Sequence, residues 1–282
     1  MLIAQITDLH IGFDPGNPGE YNTLRLRSVI ERLLSAPNRP DLLLMSGDLA
    51  EFGDAASYER LRAVVSACPF PVLPMVGNHD EREALLAAFP GTPSQGGFVH
   101  YGVGLPGLRL IVLDTLEPGR HGGAFCEARA EWPAAPLAVA PDMPVLIAMH
   151  HPPLETGIAW LDGSEREPWM ARFAETIAGH AQIVGIVCGH MHRTIHAALG
   201  GVPVTVCSST APTVGLDLTP LDPRRPDGRA MITDELPGYG LHLWNGQRLV
   251  SHCECVPEAR VFARFDAALH DVVRTIADER PD

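Results

Sequence analysis

The chain has 282 residues, of which 46% are hydrophobic, and its formal net charge is −13. A chain of this length can bury the core of one large α/β domain, alone or with a small appendage. The acidic charge argues against bulk binding to nucleic acid or to an anionic membrane, because both require a basic surface. A small anionic substrate remains compatible with it, since bound metal ions can reverse the local field.

The sequence also indicates the cellular compartment in which the protein is expected. It contains no apolar run long enough for a transmembrane helix, and strand-like sequence begins at Leu2 without the features of a secretory signal. The six cysteines have neither CxxC spacing nor the spacing of a disulfide framework. Free thiols in a reducing environment are therefore expected, and with them a cytoplasmic location.

Strands and helices alternate in the first third of the chain. The three predicted strands are LIAQIT, DLLLMSG and FPVLPMVG. The three predicted helices cover the apolar repeat at 26–34, DAASYERLRAVVSA with Asp54 as its cap, and DEREALLAAF. Nearly continuous apolar strands of this kind are typical of a sheet covered on both faces.

The rest of the chain mixes parallel and antiparallel signals. GGFVHYGVGLPGLRLIVLD predicts a hairpin. The elements predicted after it are a helix at 124–139, the strand PVLIAMH, the helix EPWMARFAETIAG, the strand IVGIVCG and two strands within 194–207. A long loop at 215–238 is followed by a hairpin of YGLHLW and RLVSHCECV, and by a helix at about 257–276. The pattern predicts a layered α/β domain with a mixed sheet.

Polar side chains that can bind a metal follow five of the predicted strands, directly after each strand ends. They are Asp8 and His10, then Asp48, then Asn78 and His79, then His150 and His151, and finally His190 and His192. Ligand sites in open α/β sheets lie beyond the carboxyl ends of the strands, so residues far apart in sequence can converge there. Each group alone is weak, because Asp and His are common in loops. The five in succession predict a metal site.

The first of these groups raises a question of geometry. Asp8 and His10 are two residues apart, and a two-residue step along extended backbone directs both side chains to the same side. We therefore expect an extended turn that brings both to one ion. The remaining histidines, among them His100, His121 and His242, are expected to have structural roles, with at most one or two of them in the pocket.

The five polar blocks resemble the calcineurin-like metallophosphoesterases. They are DLH at 8–10, GD at 47–48, GNHD at 77–80, His150 and GHMH at 189–192. The surrounding PDLLLMSGDLAEFGDAASYERL, MHHPP and PGYGLHLWNGQRLV look most like the class III cyclic-nucleotide phosphodiesterases and glycerophosphodiesterases. The resemblance implies an α/β/β/α sandwich with mixed sheets and a small C-terminal cap or oligomerisation region.

The resemblance also implies a domain organisation. We expect a metallophosphoesterase core at 1–207, a loop or cap with a probable oligomer contact at 208–240, and a C-terminal hairpin and helix packing on the core at 241–282. Members of the family use this region for self-association. A homodimer or a higher homo-oligomer is therefore expected.

A dinuclear metal site follows from the same resemblance. By analogy, one ion would be held by Asp8, His10, Asp48 and His192, and the other by Asp48, Asn78, His150 and His190. Asp48 would bridge the two ions. Carboxylate, imidazole and amide ligands suit Mn²⁺, Fe or Zn²⁺ better than a metal that prefers thiolates.

The chemistry expected from such a site is in-line hydrolysis of a small phosphodiester, either a cyclic nucleotide or a glycerophosphodiester. A metal-bound hydroxide would attack the phosphorus. His79 is predicted to be the general acid for the leaving alkoxide, because an imidazole changes charge near neutral pH and His79 adjoins a ligand. Asn78, His79 and His151 are predicted to bind substrate. For His151, an orienting role beside His150 and simple packing both remain open.

Other members of the superfamily fit less well. GDLAEFG lacks the arginine of protein Ser/Thr phosphatases, and Leu49 and Ala50 leave no room for the tyrosine ligand of purple acid phosphatases. The alternative prediction is a phosphomonoesterase or a nucleotide pyrophosphatase of this superfamily. A non-enzymatic metal-binding scaffold is disfavoured, since none of the seven expected ligands is missing from the sequence.

Overall fold

Two β-sheets form the centre of the fold in the computed structural model, which describes residues 1–17, 19–257 and 260–280. In spatial order, the first sheet consists of β13 (Leu249–Cys255), β12 (Gly238–Trp244), β1 (Leu2–Ile6), β2 (Leu42–Ser46) and β3 (Val72–Met75). The second sheet consists of β4 (Tyr101–Leu105), β5 (Leu108–Leu113), β6 (Val145–Met149), β7 (Ile183–Cys188), β9 (Val202–Val206) and β8 (Ile195–Leu199). A separate two-stranded ribbon pairs β10 (Thr213–Val214) with β11 (Ile232–Thr233).

Both sheets are mixed, as the sequence predicted. In the first, β1 runs parallel to β2, with Ile3 opposite Leu42, and antiparallel to β12, with Ala4 opposite Leu241. In the second, β5, β6, β7 and β9 run parallel, while β4 and β8 are antiparallel edge strands. The parallel strands place their carboxyl ends at one edge of each sheet.

Five of the six helices in the described residues cover the outer faces of the two sheets, and the last one does not. Their bounds are α1 (Tyr21–Ser35), α2 (Ala55–Val65), α3 (Arg82–Ala88), α4 (Glu127–Val139), α5 (Pro168–Ile177) and α6 (His270–Asp278). In α1, Leu26, Val29 and Leu33 are buried at helical spacing. Asp54 caps α2, because its side chain accepts a hydrogen bond from the Ser57 amide.

Successive side chains of β5 belong alternately to two hydrophobic cores, so the second sheet is buried on both faces. Leu110 and Val112 belong to the core shared with the first sheet and α1–α3, whereas Ile111 and Leu113 belong to a second core that includes Phe173 of α5. Because successive residues of a strand point to opposite faces, this pattern requires cover on both sides. The predicted α/β/β/α sandwich is therefore confirmed.

The C-terminal part differs from the prediction. The hairpin β12–β13 forms as expected and extends the first sheet, but the helix begins only at His270 and every residue of α6 is exposed. The helix buries none of its residues in the structure, so its expected packing on the core stays a prediction without support here. None of the helices in the described ranges combines the length and the apolar character that a membrane crossing requires.

Candidate metal centre

The predicted ligands meet where five parallel strands end, just beyond β1, β2, β3, β6 and β7. Two groups stand out, in each of which one ligand atom per residue lies within 4.8 Å of the others. One group is Asp8, His10 and His192, and the other is Asp8, Asp48 and His150. His150, His151 and His190 form a further group of the same kind, and His10, Asp48 and His79 form a fourth. Residues from both sheets are thus brought together in one small volume.

Five of the seven predicted ligands have left-handed backbone. Their φ angles are 51° at Asp8, 46° at His10, 49° at Asp48, 71° at His190 and 55° at His192. Non-glycine residues adopt this conformation uncommonly, and such residues cluster at functional sites. The expected extended turn at Asp8 and His10 is therefore wrong, although the two side chains do converge.

Gly47 and Gly189 allow the loops that carry the predicted ligands to pack closely against each other. A Cβ at Gly189 would collide with Oγ1 of Thr7 and would lie 2.9 Å from Oδ2 of Asp8. A Cβ at Gly47, where φ is 95°, would lie 2.5 Å from Nδ1 of His150. Both positions therefore exclude any side chain.

Three predicted histidine ligands share a hydrogen-bonding pattern that orients their rings. Nδ1 of His10 is 2.7 Å from the Glu51 carboxylate, Nδ1 of His150 is 2.8 Å from the Ser46 carbonyl, and Nδ1 of His192 is 2.8 Å from the Pro212 carbonyl. A carbonyl or a carboxylate only accepts, so each ring donates from Nδ1 and directs Nε2 inward. Metal-binding histidines are oriented in this way.

The inward-facing ligand atoms lack well-placed hydrogen-bond partners among the residues that the structure describes. Nε2 of His10 and Nε2 of His192 are 3.1 Å apart, and two lone pairs at that distance repel unless a proton or a metal ion lies between them. Nε2 of His150 and Oδ1 of Asn78 are buried without a hydrogen-bond partner among the described residues, although Nε2 of His150 lies 3.3 Å from the Asp48 carboxylate. These donors fit a pair of metal ions of the kind that the sequence predicted.

The electrostatics of the site favour a bound cation. Burial opposes a charge on His150, but the carboxylates of Asp48 and Asp8 raise the pKa of His150 to about 9. Burial, with the neighbouring imidazoles, lowers the pKa of His190, and burial likewise lowers the pKa of His192. Both of these rings are thus held neutral, which is the state in which imidazole binds a metal.

Two of the predicted substrate-binding residues, His79 and His151, differ in their exposure and in their contacts. His79 lies at the surface of the site with 26% of its side chain exposed, and its Nδ1 donates to the Glu51 carbonyl at 3.0 Å. His151 is buried, and its two ring nitrogens contact Thr115 at 2.8 Å and the His121 carbonyl at 3.1 Å. That position does not support the predicted substrate contact of His151, since both nitrogens are occupied behind the site.

A cavity of about 620 Å³ opens over the predicted ligands. His10, Asp48, Asn78, His190 and His192 line its floor, together with His79, whereas Asp8 and His150 are fully buried beneath it. Of the histidines without a predicted site role, only His121 lines the cavity in the described part of the chain. Its ring centroid is 5.9 Å from that of His79.

Comparisons with known proteins decide the family. The sequence profile of the calcineurin-like phosphoesterases matches residues 1–194. The chain belongs to that family. This phosphoesterase is 31% identical over 290 residues to a probable cyclic nucleotide phosphodiesterase of Rhodopseudomonas palustris, covering 96% of this chain and 99% of the relative. It is 27% identical over 261 residues to a probable glycerophosphodiester phosphodiesterase of Arcobacter nitrofigilis, covering 89% of this chain and 92% of the relative.

A solved structure supports the fold of this phosphoesterase. A calcineurin-like phosphoesterase from Bacillus subtilis superimposes with a TM-score of 0.52 at 13% identity, covering 99% of this chain and 97% of the other. At that identity the likeness concerns the fold alone. The family assignment confirms the predicted enzyme class, a hydrolytic phosphodiesterase, and a dinuclear metal centre is a property of the family.

Two carboxylates in the site of this phosphoesterase were not predicted to have a role. Asp80 accepts hydrogen bonds from the Leu49, Ala50 and Gly77 amides and from the Tyr58 hydroxyl, so it joins two ligand-bearing loops. Burial, and then the charge of Asp48, raises the pKa of Asp80 to about 6. Its place at the end of GNHD was the available signal.

Glu51 is the second of these carboxylates. Its side chain accepts from His10 at 2.7 Å and lies 3.7 Å from Nδ1 of His79. It thereby connects a predicted ligand with the predicted general acid. Glu51 carried no comparable signal, because an acidic residue in a surface turn is common.

Proposed function

We propose that this phosphoesterase hydrolyses small phosphodiesters, with cyclic nucleotides preferred over glycerophosphodiesters. The observation that carries the proposal is the cavity, which has the predicted ligands at its floor and an apolar wall above them. A volume of about 620 Å³ is within the range of small-molecule sites.

The seven residues proposed as ligands divide into two sets that share one carboxylate. Asp8, His10, Asp48 and His192 would hold one ion, and Asp48, Asn78, His150 and His190 would hold the other. The donor types suit Mn²⁺, Fe or Zn²⁺. When bound, two such ions lower the pKa of a water molecule and offset the charge that develops on the phosphoryl oxygens.

His79 supplies the proton that the leaving oxygen requires. The Glu51 carbonyl fixes Nδ1 as a donor, which leaves Nε2 as the ring atom that exchanges a proton in the cavity. The Glu51 carboxylate lies 3.7 Å from the same Nδ1. The backbone amide of His79 donates to Asp48 at 2.8 Å, so the proposed acid is held beside the carboxylate that the two ligand sets share.

The cavity wall favours a phosphodiester over a monoester or a pyrophosphate. No arginine or lysine is among the described residues that line it, and Asp14 and Glu20 add negative charge. A diester brings one negative charge to the site, whereas a monoester or a pyrophosphate brings more. Extra anionic oxygens would need cationic partners that this wall does not provide.

The same wall favours a nucleoside over glycerol. Phe13, Tyr21 and Trp160 present aromatic rings, and Leu161, Val214 and Ile232 present aliphatic groups. A nucleobase has a flat apolar face that stacks on such rings, whereas glycerol offers mainly hydroxyls. The name of the Rhodopseudomonas palustris relative agrees with this preference.

Steady-state rates on a matched panel test the proposal. The metal-supplemented protein is assayed on 3′,5′-cyclic AMP, 2′,3′-cyclic AMP, glycerophosphocholine, AMP and a nucleotide pyrophosphate, with metal content measured on the same sample. We expect the highest kcat/KM on a cyclic nucleotide, and loss of activity on chelation and in Asp48→Ala. A highest kcat/KM on glycerophosphocholine, on AMP or on the pyrophosphate overturns the substrate assignment. Chelation without effect overturns the metal site.

Three further properties belong to the proposal. All six cysteines are free, which supports a cytoplasmic location. The division at 207 and 240 and an oligomer contact at 208–240 are proposed from the family resemblance. Leu216, Leu218 and Ile232 of that segment are exposed, which supports a contact there. Light scattering on the purified protein measures the oligomeric state, and a monomer at all concentrations contradicts the contact.

A further inference from the structure

We propose that Arg25 is a positioning residue that fixes His192 through the loop at 209–212. The inference rests on the proposed metal site, but it does not depend on which phosphodiester is the substrate. Arg25 lies on α1 and is 5% exposed, so its charge is almost completely enclosed. An enclosed guanidinium has to be fully hydrogen bonded, and its partners show what it holds.

The guanidinium of Arg25 joins two segments that are distant from α1 in sequence. Its Nε donates to the Thr210 carbonyl at 2.7 Å and its Nη2 to the Ala211 carbonyl at 3.1 Å. Nη2 also donates to the Glu235 carbonyl at 2.7 Å, and Nη1 contacts the Asp234 carboxylate at 3.0 Å. One side chain thus ties the loop at 209–212 to the strand-like segment that follows β11.

The loop that Arg25 holds is in contact with two proposed ligands. The Thr210 amide donates to the Thr7 carbonyl at 3.0 Å, and the Ala211 amide donates to the Asp8 carbonyl at 3.1 Å. At both residues, therefore, the amide faces the ligand-bearing turn and the carbonyl faces Arg25. The next carbonyl, that of Pro212, receives Nδ1 of His192 at 2.8 Å. Fixing residues 210 and 211 on both sides determines where the Pro212 carbonyl points.

Lysine cannot replace arginine in this arrangement. The guanidinium presents five donors in a rigid plane, and here those donors reach three carbonyls and a carboxylate on two segments. An ammonium has one centre, so in Arg25→Lys some of the buried carbonyls would lose their partners. We therefore expect the loop to shift and His192 to lose the fixed acceptor for its Nδ1 proton.

The test compares Arg25→Lys with Arg27→Lys, an exposed arginine on the same helix. Two readouts are taken: Mn²⁺ affinity by calorimetry on the chelated protein, and the Nδ1–H signal of His192 by ¹⁵N NMR on the metal-free protein. In Arg25→Lys we expect the affinity for one ion to fall by about 10–100-fold and the proton signal to be lost. The affinity for the other ion stays near wild type, and Arg27→Lys changes neither readout.

The outcomes separate a positioning role from a structural one. Should Arg25→Lys lower the melting temperature but leave the His192 proton and both Mn²⁺ affinities unchanged, Arg25 only stabilises the fold and the inference is overturned. Should wild type bind no Mn²⁺, the proposed function fails, while the NMR signal still tests Arg25. If Arg25→Lys does not fold, Asp234→Ala is used instead, because it removes the Arg25 partner whose side chain is 69% exposed. A smaller loss of Mn²⁺ affinity and of the His192 proton signal is then expected. No change in either readout then overturns the inference.

Discussion

His79, the proposed general acid, is held by contacts at three of its groups. Its backbone amide, its Nδ1 and its ring face are all engaged, by Asp48, by the Glu51 carbonyl and by the ring of His10 at 4.7 Å. These contacts orient the ring of His79 without any need for it to bind a metal ion. His79 also lies within 4.8 Å of ligand atoms of His10 and Asp48, so its role as an acid has to be separated from metal binding by experiment.

Replacing His79 by Ala should affect substrates according to their leaving group. An alkoxide requires a proton, whereas p-nitrophenolate leaves without one. We expect kcat on 3′,5′-cyclic AMP to fall by about 10²–10⁴-fold. On bis-p-nitrophenyl phosphate the loss should be much smaller, and metal content should be unchanged. Equal losses on both substrates would remove the acid role, and lost metal would instead make His79 a ligand.

Gly189 is a residue at which a single methyl group should disturb the site. An added Cβ meets Thr7 and Asp8, whereas a Cβ at the exposed Gly104 meets nothing within 4 Å. We expect Gly189→Ala to destabilise the fold by about 1–3 kcal/mol, because the β1 and β7 loops must move apart. Gly104→Ala should be nearly neutral. Urea denaturation with parallel metal analysis measures both, and an unchanged Gly189→Ala variant would contradict this account of the loop contact.

Residue identities at the site were readable from the sequence, but the backbone that presents them was not. Spacing after apolar strands was enough to select Asp8, Asp48 and His150. Left-handed φ angles leave no signal when the residue is Asp or His rather than glycine. Arg25 was likewise hidden, because a charged residue on a helix is normally solvated and only the tertiary fold reveals its burial.

At the scale of elements, a buried polar chain crosses the first sheet and reaches the second. Nε2 of Gln5 donates to Ser46 Oγ at 2.7 Å and to the Cys188 carbonyl at 2.9 Å. Its Oε1 then accepts from Nε2 of His242 at 2.8 Å, and Nδ1 of His242 accepts from Ser251. The chain therefore links β1, β2, β12 and β13 to the end of β7, directly below the loop that carries His190.

A double-mutant cycle should reveal the coupling within this chain. Gln5→Leu and His242→Leu each leave a buried polar partner unsatisfied, so each should cost about 1–3 kcal/mol of unfolding free energy. The double variant should lose less than the sum, with a coupling of about 0.5–3 kcal/mol. The exposed His252 on β13 provides the control. The losses of unfolding free energy in His252→Leu and Gln5→Leu should add up in the double variant. Additivity for Gln5 and His242 would show that their contact carries no energy.

The elements themselves were largely predictable, and the exception has a physical cause. The apolar runs of β2 and β6 and the periodicity of α1 identify elements that are buried, because burial selects the pattern. α6 carries Val272, Val273 and Ile276 at a similar spacing, yet all three are exposed. A periodic pattern predicts that a helix forms, but it does not say which surface covers the apolar face.

For the whole molecule, acid should weaken the fold through His242. Burial, followed by the charge of His252, lowers the pKa of His242 to about 4, below the value of about 6.5 for an unfolded chain. The unfolded chain therefore binds more protons at acid pH. The stability contributed by the neutral ring is present above pH 6.5 and is lost as the pH falls toward 4.

The size of this effect can be measured by difference. Between pH 7.5 and 5, the free energy of unfolding of the metal-free wild type should fall by about 2 kcal/mol more than that of His242→Gln, because the amide of glutamine does not titrate. Urea unfolding at several pH values, with chelator present throughout, gives both curves. Parallel curves would show that His242 is not the group responsible.

Removal of the C-terminal helix should leave the rest of the molecule intact. A chain that ends at Asp266 lacks α6, all of whose residues are exposed. We expect the free energy of unfolding at low protein concentration to change by less than about 0.5 kcal/mol. Denaturation curves of the full and shortened chains provide the measurement. A loss of several kcal/mol would mean that the helix is packed against the fold in solution.

The left-handed backbone at five of the proposed ligands has a consequence in the cell. Each such residue costs about 1–2 kcal/mol when nothing offsets it, and ions bound by those side chains stabilise the native chain by mass action. The ion-free form is therefore more often unfolded and more open to proteases. Starvation for the metal would lower the abundance of the protein as well as its turnover, so nutrient status would regulate this activity twice.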